Sequence, residues 1–466
     1  MGIPGRKRAG LLVLVAVLLM LGALHRTIGR AAVEGTESLL VIRAVDEHGA
    51  PLLARVRLAP ADWSERVRLG VYSDLVRAVP EAGLSLRVPA GRYRAFVSRG
   101  PEWSIAQVPV ALTPRARVAR ELSLAHQVSL PDYQGADLHV HTARSADAHE
   151  RGGVGAQDLL AEGVSLAAVT DHNVIGDLGP SIDSVAGAEV TTWGPEVGHF
   201  NAFPLRRLPA YRKTTPARLF RELREDPAVF VQINHPRLED HISYFALGGF
   251  DGRAFSEPEF NLEADGLEVF NGYHIGHTER VRELLRDYRR WLARGHRLTA
   301  TGGSDSHSAR KHPPGYPRTY VRARRGGELA QALKRGAAFV SNGPLVSLRA
   351  QGQGPGARVQ ADARGCVQVE VRVLSPDWLE ADEVTLWADD RVVWSRRLPS
   401  ARARREGPLD FRAEARVHVG QAKSLLAVVD GGRGLELLLG RNDAVPFAFT
   451  NPIYLGPAQL AHQPSE

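Results

Sequence analysis

The sequence predicts an α/β protein in which a central domain of alternating strands and helices is flanked by two β-domains. Short runs of alternating apolar and polar residues fill the chain before about residue 128 and return after Pro344, and this period of two is typical of strands. Between these regions, apolar strands alternate with amphipathic helices, as in βα units. The 466 residues, 44% of them hydrophobic, are enough for two or three domains.

The first 32 residues are typical of an export signal. Basic residues precede an apolar run from Ala9 to Leu24, and small residues follow it. The run is shorter than the ~20 residues of a full membrane span, so we expect cleavage after Ala31 or Ala32, with a retained N-terminal membrane anchor as the alternative. Positive charge before the run places the chain from Val33 onward outside the cytoplasm, in the periplasm or the extracellular space.

Charge and cysteine content narrow the class of function. The formal net charge is +7, but the arginines are spread along the chain rather than gathered in one block, which argues against nucleic acid as a partner. The single cysteine, Cys366, can form no internal disulfide and no cysteine-rich zinc site. Any metal ion must therefore be bound by histidines and carboxylates.

Residues 36–128 and 346–458 are predicted to form the two β-domains. In the first, runs such as Leu84–Val88 and Tyr93–Val97 are separated by turns, which predicts a β-sandwich. The stretch Val-Pro-Ala-Gly-Arg-Tyr at 88–93 resembles the strand-turn-strand corner of carboxypeptidase-regulatory-like and transthyretin-like modules. In the second, runs such as Cys366–Val373 have the same period.

Two helices of the central domain can be placed from capping signals and periodicity. Thr215 is predicted to cap a helix that opens with Pro216 and continues through Leu223. A longer helix is predicted from about Glu279 to Arg294, because its apolar residues recur on one face and Gly295 follows its end.

Metal-competent side chains follow four apolar strands. His139 and His141 lie two residues apart, on one face of a strand, so they can bind one ion together. The other strands lead to Asp171-His172, to Asn234-His235, and to Asp305 and His307. An isolated His-x-His pair is equally consistent with two polar residues on the exposed edge of a sheet that bind no metal. In β/α barrels, however, the carboxyl ends of the strands meet at the face that builds the active site, so these segments can come together.

Six motifs in order resemble the PHP (polymerase and histidinol phosphatase) superfamily of metallohydrolases, most of all its CehA/McbA-type branch. They span about residues 132–345 and are Asp-Leu-His-Val-His-Thr at 137–142, Thr-Asp-His-Asn at 170–173, Gly-Ala-Glu-Val at 187–190, Gly-His-Phe-Asn at 198–201, Asn-His-Pro at 234–236 and Gly-Gly-Ser-Asp-Ser-His at 302–307. The resemblance implies a distorted seven-stranded β/α barrel that binds two or three divalent metal ions.

Carried over by position, the resemblance also implies which residues bind the ions. The first ion is assigned to His139, His141, Glu189 and Asp305; the second to Glu189, His199 and His235; the third to Asp147, His172 and His307. Glu189 would bridge the first two ions. The commoner family pattern places an aspartate where this chain has Ala146, so the alternative is that Asp147 only caps its loop. Asp137 and Asp171 are expected to orient neighbouring histidines.

The chemistry of these residue types supports the same roles. A carboxylate such as Glu189 can bridge two cations, which lower the pKa of a shared water toward ~7 and make hydroxide available. Imidazole and carboxylate ligands together suit Zn²⁺, Mn²⁺ or Fe²⁺. We therefore expect an exported hydrolase in which metal-bound hydroxide cleaves a small-molecule phosphoester or a carboxyl or carbamate ester, with Glu189 and Asp305 as catalytic residues.

Two other functions stay open from the residues alone. The first is a non-catalytic metal-binding surface or ligand-binding module built on the same barrel. The intact set of carboxylates and imidazoles at every motif argues against it, because such a cluster is costly to maintain without a chemical role. Nucleic-acid processing conflicts with the export signal. The oligomeric state is left open. Several further polar residues either rim the site or lie in loops in water: Asn173, Tyr244, Asn271, Tyr273, His274, His277 and Arg310.

Overall fold

The computed structural model describes residues 37–456 apart from 70, 72, 239–242 and 405–406. The predicted export signal, residues 1–32, lies outside the described residues. Within the described part of the chain, none of the helices has the length and apolar character needed to cross a membrane. Many strands and few helices make up this part, which confirms the mixed α/β class.

The described α-helices are short, with one exception of 17 residues. They are α1 (Trp63–Leu69), α2 (Ala156–Ala161), α3 (Pro216–Leu223), α4 (Tyr244–Leu247), α5 (Thr278–Arg294), α6 (Gly326–Lys334) and α7 (Leu435–Leu439). Both predicted helices are confirmed. The hydroxyl of Thr215 accepts a hydrogen bond from the Arg218 amide at 3.3 Å and caps α3, while Gly295 ends α5 with φ at 97°.

The described chain forms two compact units, one built from residues up to Val97 with Ala106–Ser123, and the other from Ser98–Ile105 and the residues from Leu124 onward. The strands of the first unit are β1 (Glu37–Asp46), β2 (Ala54–Pro60), β3 (Leu75–Val79), β4 (Leu84–Pro89), β5 (Gly91–Ser98), β6 (Ala106–Leu112) and β7 (Arg117–Leu124). They form two sheets, with strand orders β4-β1-β7 and β3-β2-β5-β6. Alternate residues of β4 and β5 are buried, as their period of two predicts.

The second unit contains the remaining described strands. They are β8 (Gln134–Val140), β9 (Leu166–Val169), β10 (Asp183–Ala186), β11 (Ala188–Thr191), β12 (His199–Phe203), β13 (Phe230–Ile233), β14 (Gly266–Asn271), β15 (Thr299–Gly303), β16 (Arg318–Val321), β17 (Ala338–Ser341), β18 (Leu345–Ala350), β19 (Arg358–Gln360), β20 (Cys366–Ser375), β21 (Ala381–Ala388), β22 (Arg391–Arg397), β23 (Leu409–His418), β24 (Ser424–Gly431), β25 (Phe447–Thr450) and β26 (Ile453–Gly456).

A closed seven-stranded barrel is not confirmed. Strands β11 to β15 form one sheet in chain order, whereas β8 and β9 belong to an eleven-stranded sheet in the order β10-β9-β8-β16-β17-β25-β24-β21-β22, with β26 and β19 attached to it. Isolated bridges join Val140 to Ser306 and His172 to Glu189. Helix content is lower than regular βα alternation requires, because β12 pairs antiparallel with both β11 and β13, and antiparallel neighbours need no crossover helix.

The predicted domain boundary at 345/346 lies inside the second unit, where β17 pairs with β25 in the eleven-stranded sheet. The domain boundaries stay predictions. Beside the five-stranded sheet, the apolar face of α5 is buried in a core that includes Phe220 of α3, Val231 of β13, and Leu284 and Trp291 of α5. Full burial of each large apolar side chain is worth about 1.5–3 kcal/mol, so this core fixes the strands whose ends supply the site.

Candidate metal centre

The predicted ligands lie together at one edge of the central strands. Eight of the nine fall into three overlapping groups whose ligand atoms are within 4.8 Å of one another; the groups are His139, His141, Glu189 and Asp305; His172, Glu189 and His199; and His141, Asp147, His172 and His307. The ninth, His235, has its Nε2 atom 3.3 Å from Glu189 Oε1. His199 opens β12 rather than following it, because β12 runs antiparallel and its start lies at this edge.

The first group has the spacing of ligands around a small cation. His139 Nε2 and His141 Nε2 each lie 3.2–3.3 Å from Glu189 Oε2 and from Asp305 Oδ1. A tetrahedral zinc ion with bonds of about 2.0–2.1 Å sets its ligand atoms about 3.3–3.4 Å apart. Both Nε2 atoms are buried and have no hydrogen-bond partner among the described residues. Because buried polar atoms are normally paired, these orphaned atoms fit a metal ion.

Glu189 connects the first group to further histidines. Its Oε2 atom faces His139 and His141, whereas its Oε1 atom lies 3.0 Å from His199 Nδ1 and 3.3 Å from His235 Nε2. The amide of Asn234 donates to the same Oε1 atom at 2.8 Å. Burial would raise the pKa of Glu189, but the neighbouring histidine charges hold it well below its usual value. The carboxylate therefore stays ionised, with one oxygen toward each set of imidazoles.

Asp147 lies within reach of two histidines of the third group. Its Oδ2 atom lies 2.7 Å from His307 Nε2 and 3.2 Å from His172 Nε2. His172 also approaches Glu189 Oε2 through Nδ1, at 3.3 Å, so it lies between the second and third groups. Burial would lower the pKa of His172, but the carboxylates of Glu189 and Asp147 raise it to about 9.

Residues outside the predicted set fix the orientation of the imidazoles. Glu268 Oε1 lies 2.9 Å from His139 Nδ1, and since a carboxylate only accepts, the neutral, metal-binding form of His139 carries its proton on Nδ1 and directs the Nε2 lone pair toward Glu189 and Asp305. Ser145 Oγ lies 3.1 Å from His141 Nδ1, and Thr191 Oγ1 lies 2.6 Å from His172 Nδ1.

The sequence alone did not predict these supporting residues. The one available signal was Glu268 itself, a lone carboxylate within the otherwise uncharged run Gly266–Asn271, because a charge inside a buried strand is costly unless it is paired. Ser145 and Thr191 carry no comparable signal, since serine and threonine are common in loops and at strand ends.

The expected role of two aspartates is corrected. Asp137 and Asp171 do not orient imidazoles. Asp137 accepts from the backbone amides of His139 at 3.2 Å, Ser304 at 3.0 Å and Gly315 at 2.6 Å, so it contacts the backbone of His139 and not its ring. Asp171 accepts from the backbone amide of Thr142 at 2.6 Å and from its hydroxyl at 2.7 Å. Both carboxylates therefore hold the loops that carry ligands, because their oxygens are used by loop backbone and hydroxyl donors.

Close packing and left-handed backbone accompany the ligands. A Cβ atom added to Gly303 would lie 2.5 Å from the Cβ atom of His139, so only glycine lets these two segments approach. Asp305 and His235 adopt positive φ angles of 52° and 24°. Such conformations are costly for residues other than glycine and cluster at functional sites.

Three of the further polar residues can now be placed. Tyr244 is not at the rim: it is fully buried, and its hydroxyl donates to the carbonyl of Asn261 at 2.8 Å. Asn271 lies at the cluster, where its amide donates to Glu268 Oε2 at 3.0 Å and to Asp305 Oδ2 at 3.1 Å. Asn173 exchanges hydrogen bonds with the backbone of Thr191.

No family model and no curated protein matches this chain. The resemblance to the PHP superfamily therefore stays a prediction, and the case for a function rests on the geometry of the cluster.

Proposed function

We propose that the protein is an exported, metal-dependent hydrolase of the PHP type that cleaves a small-molecule phosphoester or a carboxyl or carbamate ester. The observation that supports it most directly is that the two carboxylate oxygens of Glu189 face different imidazoles. Oε2 faces His139 and His141, and Oε1 faces His199 and His235. A carboxylate in this position is the standard means of holding two cations close together.

The finer fold belongs to the same proposal. Strands β8, β9 and β11 to β15 would form the distorted seven-stranded β/α barrel. Each gap between the two sheets coincides with an isolated bridge, one between His172 and Glu189 and the other between Val140 and Ser306. Both bridges involve a ligand or its neighbour, so distortion of the ring would occur where the site is built.

The cluster would hold two or three divalent ions, of zinc, manganese or iron. The first is assigned to His139, His141, Glu189 and Asp305, the second to Glu189, His199 and His235, and the third to Asp147, His172 and His307. When bound, such ions polarise the scissile group and lower the pKa of a nucleophilic water. The donor set, made of imidazoles and carboxylates with orphaned ring nitrogens, suits these metals.

The chain's own residues prepare the centre for this chemistry. Glu189 and Asp305 supply the negative charge that offsets the ions, and we assign them as the catalytic carboxylates. Asn271 donates to Asp305 Oδ2, which leaves Oδ1 directed at His139 and His141. Asn234 holds Glu189 by donating to Oε1, the oxygen that also faces His199 and His235. Ligands held before substrate arrives need little reorganisation during reaction.

The test is a screen of the metal-loaded protein on panels of phosphate, carboxyl and carbamate esters. We expect hydrolysis in one ester class, its loss in Glu189→Gln, and its retention in Glu162→Gln, which removes a buried carboxylate bonded to the hydroxyl of Tyr316. Bound metal with no turnover on any panel would favour the non-catalytic metal-binding module instead. Recovery of the full-length chain from the soluble cytoplasm would contradict export.

A further inference from the structure

Ser145 lies between the first and third groups of ligands. The residue is fully buried in the loop after β8. Its hydroxyl oxygen is 3.1 Å from His141 Nδ1, 2.9 Å from Asp147 Oδ1 and 3.2 Å from the backbone nitrogen of His172. One hydroxyl thus contacts a ligand of the first group, a ligand of the third group, and the backbone of a residue shared by the second and third.

The direction of each hydrogen bond follows from the donors available. The carboxylate of Asp147 can only accept, so it takes the one proton of the Ser145 hydroxyl. The two remaining lone pairs then accept from the backbone N–H of His172 and from His141 Nδ1. His141 must therefore carry its proton on Nδ1. In the neutral ring, the Nε2 atom then carries an unprotonated lone pair that is directed at Glu189 Oε2 and Asp305 Oδ1.

The same hydroxyl orients Asp147. With Oδ1 held by Ser145, the other oxygen, Oδ2, is the one that lies 2.7 Å from His307 and 3.2 Å from His172. The side chain of Asp147 is exposed, 45% accessible to solvent, so without this bond only its contacts with His307 and His172 would hold it against turning toward water. The bond explains how an aspartate one residue later than the commoner pattern still faces the third group.

We propose that Ser145 is a positioning residue that couples the first and third ion sites through its single hydroxyl. The inference rests on the proposed function, since it presumes that both groups bind metal. Without the hydroxyl, the proton of His141 would no longer be held on Nδ1, and Asp147 Oδ1 would lose its hydrogen-bond donor. Loss of Asp147 alone would free the hydroxyl proton to point at His141 Nδ1, which favours the tautomer whose Nε2 is blocked.

The loop itself does not depend on the hydroxyl. The backbone amide of Ser145 bonds to the carbonyl of Thr142, and its carbonyl accepts from Ala148 and His149. These bonds survive Ser145→Ala. Ser341→Ala is a matched control, because Ser341 is equally buried in β17 and its hydroxyl donates to the carbonyl of Pro344 at 2.6 Å.

The test measures Zn²⁺ binding to the full, chelator-treated chain by equilibrium dialysis, with occupancy of each site read from anomalous diffraction. Ser145→Ala should weaken Zn²⁺ binding by about 10- to 100-fold at the third site, as is typical for residues that support metal ligands, and should also weaken it at the first site. Ser341→Ala should bind like the wild type. Asp147→Ala should lose the third ion and weaken the first site, and the double variant should bind at the first site no more weakly than Ser145→Ala.

Three results would overturn the coupling: wild-type affinity at either site in Ser145→Ala, an unchanged first site in Asp147→Ala, or additive losses at the first site in the double variant. The Asp147→Ala measurement decides the matter even if Ser145→Ala fails to fold. A wild-type protein with no Zn²⁺ in the cluster would instead overturn the proposed function, and this inference with it.

Discussion

Replacement of Glu268 by glutamine should weaken metal binding without removing any predicted ligand. The carboxylate of Glu268 accepts three hydrogen bonds in the buried site. Its Oε2 atom receives the backbone N–H of His235 at 2.8 Å and the amide of Asn271 at 3.0 Å, while Oε1 receives His139 Nδ1 at 2.9 Å. Glutamine has the same shape but only one accepting oxygen.

The orientation of the new amide follows from these contacts. Its oxygen will replace Oε2, where two donors converge, so its NH₂ group will face His139 Nδ1. That nitrogen must then accept, and the imidazole proton moves to Nε2, the atom that lies 3.2 Å from Glu189 Oε2 and 3.3 Å from Asp305 Oδ1. Support of this kind is worth about 10- to 100-fold in metal affinity, or about 1.4–2.8 kcal/mol.

The assay is competition of Zn²⁺ between a chromophoric chelator and the metal-free protein at neutral pH. Glu162→Gln is the control, because Glu162 is also fully buried and bonds to the hydroxyl of Tyr316. We expect the loss of affinity only in Glu268→Gln. Equal affinity in Glu268→Gln and the wild type would refute the tautomer argument, and equal losses in both variants would show a general effect of removing a buried charge.

Three further outcomes are expected. Glu189→Gln should keep the melting temperature nearly unchanged but lose turnover by on the order of several kcal/mol of transition-state stabilisation, because an amide bridges cations poorly; near-normal kcat/KM on a confirmed substrate would reject the bridging role. Asp147→Ala should lose one equivalent of metal at saturating Zn²⁺ while the pair at Glu189 stays bound; unchanged stoichiometry by elemental analysis would reject Asp147 as a ligand. In the metal-free protein, the pKa of His172 is raised to about 9, so its contribution to stability is fully present below about 6.5, its unfolded value, and is lost as pH rises through 9. Thermal unfolding of chelator-treated protein should therefore occur at lower temperature at pH 9 than at pH 6.5, and this difference should shrink in His172→Gln; a pH-independent melting temperature would contradict the assignment.

The parts of the fold that local signals determine were predictable. The cap at Thr215 and the apolar face of the helix that ends before Gly295 depend on neighbouring residues alone, and both are confirmed. The sheets were not predictable at the same level. The antiparallel pairing of β11, β12 and β13, and the sharing of one sheet by β17 and β25, depend on contacts between distant segments that periodicity does not encode.

In the candidate site, too, some residues could be predicted from local sequence and others depend on contacts between distant segments. The grouping of candidate ligands such as His139 and His235 was predictable because metal-competent side chains stand out at the ends of apolar strands. Their supporting partners were not, because Ser145 and Thr191 are chemically ordinary and gain a role only from the side chain that they face. Asp137 illustrates the converse: its type and position suggested support for an imidazole ring, but its oxygens accept from the backbone N–H groups of His139, Ser304 and Gly315.

The proposed metal centre is tested by counting and locating the metal ions in the purified protein by elemental analysis and anomalous diffraction. We expect at least two ions of zinc, manganese or iron, one on each side of Glu189, and a third ion beside Asp147. A protein that binds no ion after loading with these metals, or binds ions only away from Glu189, would contradict the proposed centre.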